Sequence, residues 1–332
     1  MKLASTRKVT DGSKVATRFS KSAFKLPSVL LISASIGGGA GFYLHSMLKP
    51  TITVVEGDAD AYAPDIDAIM TNYNKVKNSG GDYCGKLKAY EIVNAAYEIF
   101  STHTYTYSIG VGASVAMGLV NQRIESAQIK EGERYFEESN STSTYVRLFN
   151  RMYQEGEKTT KYWGSNTDYS KDKPEEVSNE TYAEQMGRNV SVGLTYLVSE
   201  GTESSEDKSG KGLTSVTQDS EGYITVNFEA KPDATTLRYV KQMKTISNLK
   251  TYPSFEYVHL TWKMDKDLNL IWFNNYEKYH ATLSTGIGSD CAGSMTTIYK
   301  YGEACELSIP TPSEQLPSYP STEEELISQY CK

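Results

Sequence analysis

Apolar positions along this chain recur with two periods, and the change from one to the other marks its organisation. After Pro64, Ile66, Ile69, Tyr73 and Val76 follow at helical spacing until Ser79-Gly80-Gly81-Asp82 ends the run. A second helix is predicted over residues 86–101, where Leu87, Tyr90, Val93, Tyr97 and Phe100 share one stripe with Ala96 beside it. From Tyr105 the period drops to two. Tyr105, Tyr107, Ile109 and Val111 alternate with small or polar residues, and Gly110, Gly112 and Gly118 suggest a bent strand. Further strands are expected over residues 120–129, 134–138, 144–154 and 158–163, with Glu155-Gly156 turning between the last two.

The second half continues in the same texture. Residues 166–177 are polar and read as a loop, and Ser178 is placed to cap a short helix through Gln185. Strands are predicted over residues 190–198 and 223–229, separated by a charged, turn-rich stretch at 199–211 that reads as mobile. Pro232 opens a helix through Asn248, with Leu237, Val240, Met243 or Lys244, and Ile246 or Ser247 on its inner face. A long hairpin then runs over residues 257–264 and 268–283 around Asp265-Lys266-Asp267, and residues 294–301 form a last strand. Two helices, a long meander and one late helix before a closing meander predict an α+β fold: a curved antiparallel sheet, an incomplete barrel, wrapped around helices. No repeating βαβ pattern is present.

This order resembles the bacterial lipoprotein-carrier fold, the LolA-like and mycobacterial LppX-like group. The resemblance covers residues 86–310. It rests on the helix-to-strand entry at 90–109, the block 128–163, and the run LRYVKQM…FEYVHLTWKMDKDLNLIWFNNYEKY. It implies an incomplete barrel that shelters an apolar cavity around its helices. It is a likeness of order and texture, without a signature motif. Carriers of that group are soluble or lipid-anchored, and here the chain departs from them.

The departure lies at the N-terminus. Residues 26–48 carry no formal charge between Lys25 and Lys49, a length that can cross a bilayer. Lys2, Arg7, Lys8, Lys14, Arg18, Lys21 and Lys25 precede it against the lone Asp11, and a tail of that charge stays in the cytoplasm. The expected organisation is a basic cytoplasmic tail (1–25), a single transmembrane helix (26–48), a linker and membrane-proximal helix (49–82), an extracytoplasmic domain (83–310) and a proline-containing tail (311–332). A retained anchor is favoured over a cleaved signal peptide because the basic tail is longer than such signals carry. Gly37 and Gly41 form a small-xxx-small pair through which two such helices could pack as a homodimer.

Charge and cysteine usage narrow the possibilities. The chain carries a net charge of −7 while its basic tail is positive, so the rest is acidic and makes a poor partner for nucleic acid. Cys84, Cys291, Cys305 and Cys331 contain no C-x-x-C pair, so neither a zinc ribbon nor a dithiol redox site is expected. A Cys291–Cys305 bridge would have to fold back across the strand between them. His45, His103, His259 and His280 lie far apart, and structural or surface roles are expected rather than a metal site. Asp265, Asp267 and Asn269 match the first ligands of a calcium loop without its Gly and distal Glu, so a plain turn is expected. The Gly286–Asp290 segment opens no helix and reads as a hairpin loop rather than a phosphate loop. Glu137-Glu138 is the kind of acidic pair that is usually solvated.

No catalytic motif, cofactor fingerprint or metal constellation emerges, so no enzyme and no cofactor is expected. The expected function is a membrane-anchored extracytoplasmic binding module for an apolar or lipid-like ligand. The alternative is an envelope regulatory or structural module that binds another exterior protein. The candidate lining is the apolar set of the late hairpin: Val258, Leu260, Trp262 and Met264 on one strand, Ile271 and Phe273 on the next. Ordinary core packing explains the same pattern.

Overall fold

The computed structural model describes residues 59–301 apart from 104, 117–119, 132, 144–146, 166–174, 187–193, 248, 283–285 and 287. The expected membrane segment 26–48, Gly37, Gly41, Cys305, Cys331 and the tail 311–332 lie outside the described residues. Among the described residues no helix is long and apolar enough to cross a membrane.

Helix α1 (Ile66–Asn78) starts where the Asp65 side chain accepts the Ala68 N–H at 3.0 Å, and it buries Ile69, Tyr73 and Val76. Helix α2 (Ala89–Thr102) opens with Glu91 accepting the Lys88 N–H at 2.8 Å, and its Ile92, Val93, Ala95 and Ala96 are fully buried. Six strands follow in order: β1 (Tyr105–Ala116), β2 (Val120–Glu131), β3 (Arg134–Ser143), β4 (Arg147–Glu155), β5 (Lys158–Ser165) and β6 (Glu175–Ser178). Helix α3 (Asn179–Met186) begins with the Ser178 hydroxyl accepting the Thr181 N–H at 3.0 Å, the cap expected of that serine. Strands β7 (Ser215–Gln218) and β8 (Ile224–Glu229) lead into α4 (Pro232–Thr235) and α5 (Leu237–Ser247), which are separated at Thr236. The chain closes with β9 (Ser254–Met264), β10 (Leu270–Thr282) and β11 (Gly288–Tyr301).

All strands pair antiparallel in one open sheet of order β6-β5-β4-β3-β2-β1-β11-β10-β9-β8-β7. The fold is α+β, and the sheet is not closed into a barrel. The chain lays strands from the centre to one edge, then from the other edge back to the centre, where β1 meets β11 from Thr106–Tyr301 to Ala116–Cys291. Helix α2 lies over β8 and β10, α4 over β9, and α3 touches β5, β6 and α5.

Several expectations change. Residues 194–198 form no strand: Leu194, Thr195, Tyr196, Leu197 and Val198 are buried in succession, without the alternation of a sheet. Instead the Leu197 N–H donates to the Thr235 carbonyl at 2.8 Å, and the Asn94 amide donates to the Val198 carbonyl at 2.6 Å. The 199–211 stretch is tied down by hydrogen bonds described below. Among the described side chains of α5 the buried positions are Leu237, Tyr239, Gln242, Met243 and Lys244, with Val240 only half-buried; Ile246 and Ser247 lie outside them. Gly288–Asp290 belong to β11 rather than to the preceding loop. Cys291 is a buried free thiol and Cys84 a half-buried one.

Candidate ligand-binding interior

The register defines which residues share the helix-facing side of the sheet. Met295 belongs to the main core with Ile92 and Val93, so its neighbours on the same face follow from the pairing. On β1 that face carries Thr106, Ser108, Gly110, Gly112, Ser114 and Ala116, paired with Tyr301, Tyr299, Thr297, Met295, Gly293 and Cys291. The residue types at these register positions of β1 are all small. Among the described residues no helix packs on β1 as α2 packs on β8 and β10.

The two arms differ in character. On the β8–β10 side, Phe228, Val258, Leu260, Trp262, Met264, Leu270 and Phe273 are wholly inaccessible and belong to one core. Trp262 stacks on Phe273 with ring centroids 4.9 Å apart, and its indole N–H donates to the Tyr97 hydroxyl at 3.2 Å. Five of the six proposed lining residues thus lie together. Ile271 is half-buried, because the register shifts between Leu270 and Trp272. That irregularity puts Leu270 on the inner face with Phe273, where strict alternation would separate them. On the β3–β5 side, Glu137, Met152 and Lys161 align across three strands and are all buried. Tyr135 donates to Glu137 at 3.1 Å, Lys161 approaches Glu175 at 3.5 Å, and burial pulls the lysine's pKa down. Glu137 is therefore not the solvated residue its neighbourhood in the sequence suggested.

A polar node sits within the β8–β10 arm. Glu277 on β10 is fully buried, and its carboxylate accepts from Tyr196 at 2.6 Å and from Tyr239 at 3.1 Å. Asn275, one inner position away, donates to the Tyr196 hydroxyl at 3.1 Å and accepts the Met295 N–H at 2.7 Å. Loss of solvation pushes the Glu277 pKa up to about 7, against the opposing pull of the tyrosine and asparagine donors. The same burial, with Glu277 beside it, raises Tyr196 well above the ordinary phenol value.

Two other clusters resemble catalytic sets and are arranged otherwise. Ser209, Glu229 and His259 meet under the 199–214 segment: His259 Nδ1 lies 2.9 Å from Glu229, and Ser209 Oγ donates to the same carboxylate at 2.5 Å. Ser209 Oγ also lies 3.4 Å from His259 Nδ1, so acid and hydroxyl share one ring nitrogen and no relay runs through the imidazole. The Lys208 and Ser209 N–H groups complete the carboxylate's partners at 3.0 and 3.2 Å, which makes this a clamp on the segment. On the outer face, Ser254, His280 and Asp290 lie in one cross-strand row beside a shallow cleft of about 170 Å³. The Asp290 carboxylate accepts from His280 Nδ1 at 2.8 Å, and Nε2 leans over Gly288 rather than toward Ser254. The serine has no base. His103 Nε2 lies 3.2 Å from Asn269 Oδ1, and no group of His, Cys, Asp and Glu suited to a metal occurs among the described residues. Asp265 accepts the Asp267 and Asn269 N–H groups and the Asn269 amide, the plain turn that was expected.

Neither a protein-family model nor a curated protein matches the chain. Among solved structures it is similar to a LolA superfamily protein from Nitrosomonas europaea at 9% identity. The likeness covers 64% of this chain and 92% of that one, with a TM-score of 0.22.

Proposed function

We propose that this chain is a non-enzymatic binding module whose sheet curls around its helices and takes an apolar or lipid-like ligand inside. The observation that supports this reading is the β1 row in register with the buried face of β11: its residue types are all small, and among the described residues no helix packs on that strand as α2 packs on β8 and β10. The contacts of the helices support the curl. Strands β5 and β10 lie six steps apart in the sheet, about 29 Å if it were flat. Helix α3 nevertheless touches both β5 and α5, and α5 reaches β10 through Tyr239 and Glu277. Packed helices stand about 8–10 Å apart. A sheet bent around them meets these contacts; a flat one strains them. In this reading residues 26–48 hold the module to a membrane, with the basic tail in the cytoplasm and the domain outside.

Native mass spectrometry of the intact chain, together with displacement of an apolar fluorophore, tests the proposal. Wild-type protein is expected to carry lipid and to bind the probe, and Gly112→Leu, which fills the inner row, to lose about tenfold or more in affinity while remaining folded. Absence of both lipid and probe binding in the wild type would sink it. The alternative, docking of another exterior protein, is favoured by Ile298, which is 47% exposed and pairs with half-buried Trp272 on the outer face.

A further inference from the structure

Helix α5 holds a side chain that the fold leaves incomplete. Gln242 is wholly inaccessible to solvent, yet both its amide nitrogen and its amide oxygen lack a hydrogen-bonding partner. Buried polar groups are almost always paired, and each unmet donor or acceptor lowers stability. An unmet pair on one side chain marks a place built to be completed by something else.

Its surroundings say what that is. Tyr239, one turn earlier on α5, donates to Glu277 and packs its ring 5.1 Å from Tyr196. Tyr196 belongs to the extended segment that runs beside α4 and α5, with Leu197 bonded to Thr235. The preceding residue, Thr195, is 1% exposed, and its hydroxyl also lacks a partner. Across the interior, Thr297 on β11 is 2% exposed, has an unpartnered hydroxyl, and pairs in register with Gly110 of the small-residue row. Unmet polar atoms therefore occur on α5, on the segment beside it and at the β1–β11 seam. Met243, Met295 and Phe273 belong to the apolar core between them.

We infer that the ligand enters with a neutral head group bearing a paired donor and acceptor, a primary amide or a protonated carboxylic acid, and that Gln242 receives it. This rests on the interior-binding reading above. A primary amide on the protein offers one N–H and one carbonyl side by side, and their complement is another amide or an un-ionised acid. An ionised head is disfavoured because burial penalises charge, and Glu277, the buried acid one helical turn away through Tyr239, adds repulsion once it is deprotonated. An alcohol meets only one of the two atoms, and a hydrocarbon neither. The hydrocarbon tail lies along the β1 row.

The test is competition against a bound apolar fluorophore, using the full chain in amphipol with hexadecanamide, hexadecanoic acid, hexadecanol and hexadecane. Wild type should prefer the amide to the alcohol by about tenfold. The acid should match the amide in acidic buffer and weaken as pH rises, while the amide stays constant. Gln242→Leu should erase the preference and keep hexadecane binding; its thermal midpoint should not fall, because it removes two unmet polar atoms. Gln242→Met, closer in shape, controls for packing and should behave alike. Equal affinity of wild type for amide, alcohol and alkane overturns the inference and leaves the binding module standing. An undiminished amide preference in Gln242→Leu overturns it too. Failure of all four to displace the probe removes the interior-binding reading, and the inference with it.

Discussion

Tyr196 and Glu277, far apart in the sequence, meet in the interior with 2.6 Å between phenol and carboxylate oxygens. The contact fastens an irregular segment to the middle of a strand, and Tyr239 fastens α5 to the same carboxylate. The carboxylate's pKa of about 7 means that folding favours its protonated form.

The sign of the pH dependence follows. An ordinary glutamate loses its proton near 4.5, so between that value and about 7 the folded chain holds a proton that the unfolded chain has released. The contribution of this group is complete below the window, declines as pH rises across it, and is flat above. Glu277→Gln should remove that decline. Urea midpoints measured at about pH 5 and about pH 8 should then differ less in the variant than in the wild type. An identical pH difference in both proteins would contradict the assignment.

Trp262 is inaccessible, stacked on Phe273 and hydrogen-bonded to Tyr97. Trp262→Ala should lower unfolding free energy by about 3–5 kcal/mol in denaturant titration, the cost of a large core deletion. A much smaller loss, accompanied by loss of apolar-probe binding, would instead mark this position as ligand lining.

Ser209→Ala removes one donor to the buried Glu229 carboxylate and should cost about 1.5–3 kcal/mol, the range for hydrogen bonds to charged groups. Amide exchange should accelerate at Lys208, Ser209, Gly210 and Gly212, whose N–H groups bond Glu229 or Asp207. Unchanged exchange there would show that the segment is held by other means.

A Cβ at Gly288 would lie 2.8 Å from His280 Nε2. The imidazole is half exposed and can swing away, so Gly288→Ala should cost less than about 1 kcal/mol. It should nevertheless separate His280 from Asp290, read as a change in the His280 ring resonances by NMR. Unaltered resonances would mean that the backbone yields instead.

Local signals were legible where local physics decides the outcome. Ser178 and the Asp265 turn act through bonds to residues a few places away, and the sequence showed both of them. Alternation placed Val258, Leu260, Trp262 and Met264 on one face because a strand has only two. It failed at Ile271, where one irregular residue re-phases the strand, and at residues 194–198, where burial on all sides mimics a sheet core. The buried acids Glu137, Glu229 and Glu277 were invisible for another reason. A glutamate on an alternating strand looks solvated until its tyrosine, histidine or backbone donors, supplied from distant segments, are brought to it.

The seam between β1 and β11 has a kinetic consequence. Strands β1 to β6 each pair with the strand just before or after them, and so do β7 to β11; the two runs are joined in the sheet only where Thr106 through Ala116 meet Cys291 through Tyr301. Neighbours within each run lie close in sequence, the longest excursion shown being that through α4 and α5 between β8 and β9, whereas the seam must wait for the ends of a very long loop to meet. The rate-limiting step of assembly therefore belongs to the middle of the sheet, and a chain severed between α3 and β7 should reconstitute from its two pieces through that ladder and the packing of α2 on β8 and β10.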